Sequence, residues 1–258
     1  MLVDSHCHLD FEDFQGDLEG ILKRSEEAGV DTLLTICTQL SKFQQVLAIA
    51  EQYPNIYCTA GVHPHSAESE DLINIDQLIK LTDHPKVVGI GEGGLDYHYD
   101  YAPKDIQKEQ FVRQITAARQ TQLPLVIHSR NADEDMIHIL ENEIGKGAFP
   151  FILHCFSSDQ KLAEIGVKLG GYVSFSGILT FKKSDDIRQI AKLIPMDRLL
   201  VETDAPYLSP QPFRGKRCEP AYVKYTAEVL ADIKEVPFKD MAHQTTTNFN
   251  TLFTKVIV

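Results

Sequence analysis

Six side chains able to bind a cation close or follow short apolar runs. They are His6 and His8 in DSHCHLD, Glu92 in GIGEGGLDYH, His128 in LVIHSR, His154 in FILHCF and Asp204 in LVETDAPY. The runs themselves (Leu2-Val3, Lys86 to Ile90, Leu125 to Ile127, Phe151 to Leu153, Leu199 to Val201) have strand character. Side chains at i and i+2 of a strand share a face, so His6 and His8 can grip one ion together. Four imidazoles and two carboxylates suit a pair of divalent ions and leave positions for water. A purely structural metal site would be built from cysteines and closed. One histidine at a strand end is more often a hydrogen-bonded core or surface residue. Six candidates at matching strand ends outweigh that reading.

Positioning them requires a repeated strand–helix unit. Strands are expected near 2–6, 32–37, 56–62, 86–91, 124–128, 149–154, 171–176 and 198–203. Helices are expected near 17–28, 42–53, 71–82, 104–121, 132–143, 158–169, 184–193 and 219–233, with a last one near 238–254 after Pro237. Eight such pairs predict an α/β fold, a (β/α)8 TIM barrel with an extra C-terminal helix, as one domain over residues 1–258. In such a barrel the catalytic residues sit at the C-terminal strand ends, where all six candidates fall. A doubly wound open sheet is the alternative, but it would not bring strands 1 and 8 to one centre. No linker, low-complexity segment or short repeat divides the chain.

With 258 residues and an apolar share of 43%, the chain can bury a substantial core. Its 25 Lys plus Arg against 37 Asp plus Glu give a net charge of −12, which argues against a protein that coats nucleic acid non-specifically. It does not exclude a nuclease whose metals and local basic residues meet the phosphates. Five cysteines without CxxC spacing read as free thiols of a reducing compartment. Cys7 and Cys155 should point to the strand face opposite their ligand neighbours. The first residues carry no basic-then-apolar signal and no apolar run reaches membrane length, so cytoplasm is the expected compartment.

DSHCHLD, TAGVHPH, GEGGLDYH, PLVIHSR, ILHCFS, SFSGILTF, VETDAPYL and RGKRCEPAYV follow one another in the order typical of the TatD family of metal-dependent deoxyribonucleases, which the chain resembles from residue 2 to about residue 225. That family is grouped with the amidohydrolase-like metal-dependent hydrolases and is built on a TIM barrel. The resemblance implies that His6, His8, Glu92 and Asp204 surround one metal. It implies that Glu92 bridges to a second, bound also by His128 and His154. The implied cofactors are two divalent ions, Mg²⁺ or Zn²⁺, with Mn²⁺ as a third option.

Other residues divide between substrate contact and plain surface. His63 and His65 flank Pro64 in a turn; the family match favours His63, and more weakly His65, as substrate-phosphate contacts. Arg214, Lys216 and Arg217 in FRGKR follow strand 8 and are expected to bind phosphate, although most charge runs are solvated loops. Lys182, Lys183 and Arg130 are weaker candidates. Tyr97 and Tyr207 could stack on a base or sugar. Against the usual family pattern, Gly93 replaces an apolar β-branched residue, Phe213 a histidine, Cys218 an asparagine and Ser158 a glycine. Gly93 is expected to loosen the backbone beside Glu92.

The expected activity is metal-dependent phosphodiester hydrolysis by activated water, with Glu92, Asp204 and His63 as the catalytic set. The expected partner is DNA, at ends or in single strands, with no membrane and no obligate protein partner. A deacylase of aminoacyl-tRNA or a small-molecule amidohydrolase on the same centre is the alternative. No GxSxG elbow and no Walker-type loop is present.

Overall fold

Short β-rich segments buried on both faces alternate with amphipathic helices, and that pattern closes on itself. The computed structural model of the protein describes residues 1–257. Its strands are β1 Leu2–Cys7, β2 Val30–Thr35, β3 Ile56–Ala60, β4 Val87–Asp96, β5 Leu125–Arg130, β6 Phe151–Leu153, β7 Tyr172–Phe175 and β8 Leu199–Val201. All pair in parallel, in sequence order. The first and last strands meet just past the end of β8. There His6 O accepts from Asp204 N at 2.9 Å, and Ala205 O accepts from His8 N at 2.8 Å. The seam of the barrel therefore lies inside the motifs that carry the candidate ligands.

The helices are α1 Leu18–Glu27, α2 Phe43–Gln52, α3 Ile75–Leu81, α4 Lys104–Thr121, α5 Asp133–Lys146, α6 Gln160–Lys168, α7 Asp185–Leu193, α8 Val223–Lys234 and α9 Phe238–Leu252. The expected TIM barrel and its extra C-terminal helix are both present. Several boundaries differ by a few residues, three of them for evident local reasons. Helix α3 starts late because Asn74 caps it, its side chain accepting from Gln77 N. A tight turn at Pro220–Tyr222 precedes α8. Strand β4 runs on to Asp96 because Gly93 to Asp96 continue to pair with Ile127 to Arg130 of β5. That extension carries both Glu92 and Asp96 into the layer of the candidate ligands.

Inside the barrel the lower layer is apolar: Val3, Leu34, Tyr57, Val88, Val126, Ile152, Tyr172 and Leu200 cluster with Phe249, Leu252 and Phe253 from α9 and its end. The extra helix thus plugs the N-terminal mouth. Two residues further along several strands the inward side chain turns polar: Val126 is followed by His128, Ile152 by His154 and Leu200 by Glu202. An apolar floor under a polar layer keeps water from reaching the charged groups from below.

Phe253 is fully buried with its ring 4.6 Å from that of Phe249. Phe253→Ala should cost about 3–5 kcal/mol of stability, read as a lower urea midpoint by circular dichroism. A loss under about 1 kcal/mol would show that α9 is a peripheral addition and not a plug.

Candidate metal centre

Residues from β1, β4 and the end of β8 make the first cluster. His6 Nε2 and His8 Nε2 lie 3.3 Å apart. His6 Nε2 is 3.3 Å from Glu92 Oε2 and 3.7 Å from Asp204 Oδ1. His8 Nε2 is 4.0 Å from Glu92 Oε2 and 3.4 Å from Asp204 Oδ1. A tetrahedral ion with bonds of about 2.0–2.2 Å spaces its ligand atoms about 3.3–3.6 Å apart. The observed separations are close to the edges of such a cage.

The second cluster gathers on the other oxygen of the same carboxylate. Glu92 Oε1 is 2.8 Å from His154 Nε2, 3.0 Å from His128 Nδ1 and 3.3 Å from His63 Nε2. His154 Nε2 and His128 Nδ1 are 3.4 Å apart. The outer nitrogens of these two rings are occupied. His154 Nδ1 faces Glu202 Oε1 at 3.1 Å, and His128 Nε2 faces Asp96 Oδ2 at 3.0 Å. Each buried carboxylate takes the ring's N–H, so in the neutral rings the lone pairs point at Glu92 Oε1. Two lone pairs and an anionic oxygen within hydrogen-bonding distance need a cation or protons between them. The donor set therefore fits divalent ions. His6, His8 and Glu92 could hold one, and Glu92, His128 and His154 another.

His63 is of a different kind. Its Nδ1 accepts from His65 N at 3.0 Å, so its proton sits on Nε2 and points at Glu92. Burial pushes its pKa down to about 4, against the pull of Glu92. It is a neutral hydrogen-bond donor beside the second cluster.

The charges respond to one another. Burial alone would protonate the carboxylates, but at Glu92 the surrounding His154, His63 and His6 overcome it and hold its pKa well below the usual range. Asp204 is likewise lowered despite burial, chiefly by the hydrogen bond to His8. Conversely, Glu92 and Glu202 raise His154 well above an ordinary imidazole, against burial. His6 moves down, first through burial and then through His154, whose ring stacks on it at 3.9 Å. The negative charge that would hold metal ions draws protons in the same way.

All six candidate ligands thus lie in one layer. All but His6, which is fully buried, line a cavity of about 1690 Å³ whose wall also includes His63, His65 and Tyr207. The structure does not bring the FRGKR side chains there. Arg217 donates to Asp13 O at 2.7 Å and Asp17 Oδ2 at 3.0 Å, Arg214 lies 3.9 Å over the Phe181 ring, and Lys216 is exposed. Phe213 stacks on Tyr222 at 4.2 Å. The cations on the cavity wall are Lys42, Arg130 and Lys183. Tyr97 is held outside it by Asp135 and Lys104. Cys7 packs in the core as expected, whereas Cys155 lies on the cavity wall with Sγ 3.2 Å from Ser176 Oγ. Past the end of β6 the chain takes φ 45° at Cys155, so strand alternation no longer applies there.

Asp96, Glu202 and Gln114 were not picked out from the sequence. Asp96 and Glu202 lie at even spacings from Glu92 and Asp204 within the same motifs, a signal that could have found them. Gln114 accounts for Gly93. Its amide accepts from Val62 N at 3.1 Å and donates to Val62 O at 3.0 Å. A Cβ on Gly93 would meet that amide at 2.5 Å. The backbone beside Glu92 is thus packed against a fixed side chain, and not loosened as expected.

The family model for TatD related DNase matches residues 3–254. The chain belongs to the TatD family. It is 43% identical over 253 residues to the uncharacterized metal-dependent hydrolase YabD of Bacillus subtilis, covering 98% of this chain and 99% of YabD. It is 34% identical to the protein named 3'-5' ssDNA/RNA exonuclease TatD of Escherichia fergusonii, covering 98% of both. The crystal structure of YJJV, a TatD homologue from Escherichia coli, superposes with a TM-score of 0.91 at 30% identity, covering 98% of both chains. This TatD-family chain is a metal-dependent hydrolase.

Two substitutions test the geometry. Asp96→Asn should weaken metal retention about 10- to 100-fold, measured by competition with a chelator, because His128 loses the partner that orients it. Gly93→Val should lower both stability and metal content, since the Gln114 amide cannot give way. Unchanged affinity in the first, or an undisturbed protein in the second, would show that these neighbours do not set the ligand geometry.

Proposed function

We propose that the protein hydrolyses phosphodiester bonds of single-stranded nucleic acid, DNA first, at a two-cation centre. The observation that carries this reading is the division of one buried carboxylate between two clusters, with Glu92 Oε2 toward His6 and Oε1 toward His128 and His154. One ion would be held by His6, His8, Glu92 and Asp204, and the other by Glu92, His128 and His154. Bound divalent ions, Mg²⁺ or Zn²⁺ with Mn²⁺ as a further option, would supply Lewis acidity toward the phosphoryl oxygens and make water a nucleophile near neutral pH.

The protein's own groups do the rest. Glu92 stays ionised and holds both clusters in one geometry. Asp204 engages the histidines through Oδ1, leaving its second oxygen free to accept the proton of the attacking water. His63, neutral and carrying its one proton on Nε2, would turn that proton from Glu92 to a phosphate oxygen or to the departing alcohol. Lys42, Arg130 and Lys183 meet phosphates inside the cavity. Arg214 and Lys216 serve phosphates farther along the strand, and His65 lines the entry. The exonuclease name of the Escherichia fergusonii relative supports a nucleic-acid substrate. Among the described residues no helix is long and apolar enough to cross a membrane.

Purified protein supplied with Mg²⁺ or Mn²⁺ should shorten a labelled single-stranded oligonucleotide faster than the matching duplex. Excess chelator should abolish cleavage. Glu92→Gln should lose metal, measured by elemental analysis, and nearly all turnover while keeping its circular dichroism spectrum. Turnover of an aminoacyl ester or a small amide, with oligonucleotides left intact, would replace the nuclease reading.

A further inference from the structure

Three exposed tyrosines stand at the cavity: Tyr99 is 39% exposed, Tyr101 60% and Tyr207 53%. Large exposed aromatics grouped at one site mark a contact surface more often than chance packing. Two of them form a stack, with the rings of Tyr99 and Tyr101 5.2 Å apart and 19° from parallel. The Arg130 guanidinium lies 4.9 Å from the Tyr99 ring centre. His65 packs edge-on against both, at 5.3 Å from Tyr99 and 4.8 Å from Tyr101.

This group is joined to the metal centre through one carboxylate. Asp96 Oδ2 is 2.7 Å from His65 Nε2 and 3.0 Å from His128 Nε2. A single residue thus fixes the supporting wall of the tyrosine stack and a proposed ligand of the second cluster. Asp96 is fully buried, so the link is rigid. An aromatic surface held at a set distance from a phosphate-cleaving centre can fix which phosphate of a strand arrives there.

We infer that Tyr99 and Tyr101, with Arg130 behind them, form a stacking platform for an unpaired nucleobase next to the scissile phosphate. This rests on the nuclease reading above and adds to it a basis for single-strand preference. A paired base has its faces covered by its neighbours in the duplex, whereas an unpaired base can leave its stack and lie on a tyrosine ring. Tyr101, the more open ring, takes the base. The Arg130 guanidinium, held over Tyr99, sits where it can meet the adjoining phosphate. Every nucleobase has a π-face, so the platform favours single strands without selecting a sequence.

The test uses the intact protein with Mg²⁺ and two oligonucleotides of equal length, one all-thymidine and one with abasic nucleotides at both ends. Phosphate number is the same in both. The parent should show a lower KM for the thymidine strand. Tyr99→Ala/Tyr101→Ala should raise that KM about fivefold or more, the loss expected for removing one stacked base. Its kcat should change little, and its KM for the abasic strand should stay at the parent value. Tyr99→Phe/Tyr101→Phe should keep the parent preference, because the rings remain. An alanine variant with an unchanged preference, or a parent that does not distinguish the two strands, overturns the platform and leaves the nuclease reading standing. A parent that cleaves neither strand overturns the reading beneath it.

Discussion

One buried carboxylate organises this molecule. Glu92 is 2% exposed, and nitrogens of five histidines lie within 2.8–4.0 Å of its two oxygens. An isolated anion so far from water would be protonated or expelled. It persists because charge of the opposite sign can be placed on both sides of it. The strongly apolar floor beneath makes that requirement stricter, since no water enters from below to weaken the field. Asp204, Asp96 and Glu202 extend the same arrangement outward. Each faces an imidazole, and each imidazole faces back toward Glu92 or its neighbours.

The barrel supplies the placement. A ring of parallel strands brings side chains from β1, β4, β5, β6 and the end of β8 to one level, although they lie far apart in sequence. Closure between β8 and β1 uses the backbone of His6, His8 and Asp204, so the fold and the candidate metal site share hydrogen bonds. The extended end of β4 then sets Asp96 four residues beyond Glu92 on the same strand. Gln114 reaches across from α4 to grip both backbone groups of Val62, one residue before His63. The absent side chain of Gly93 makes room for it. What looked like a departure beside Glu92 is the complement of a glutamine on another element.

Much of this was legible in the sequence, and the reason is physical. Apolar strand runs that end in histidine or carboxylate announce both the element and its polar end, so the eight strands and nine helices of the described residues, and the strand ends where the candidate ligands stand, could be placed from pattern. Groups that act through a second residue were harder to see. Nothing in the order of residues tells that Asp96 would meet His65 and His128, or that Glu202 would hold His154, because those pairings depend on how strands lean in the closed barrel. Loops were the least legible. FRGKR is basic and follows β8, yet Arg217 turns to Asp17 and Arg214 to the Phe181 ring, since nearby acidic and aromatic partners compete for a guanidinium. The aromatic stack belonged to Tyr99 and Tyr101, two residues apart in a loop whose path no periodicity encodes.

Anomalous diffraction from crystals grown with Mn²⁺ or Zn²⁺ reads the arrangement around Glu92 directly. Two peaks are expected, one on each side of the Glu92 carboxylate. The first should contact His6, His8 and Asp204, and the second His128 and His154. A single ion that leaves one Glu92 oxygen without a metal, or ions bound away from Glu92, would contradict the shared-carboxylate centre.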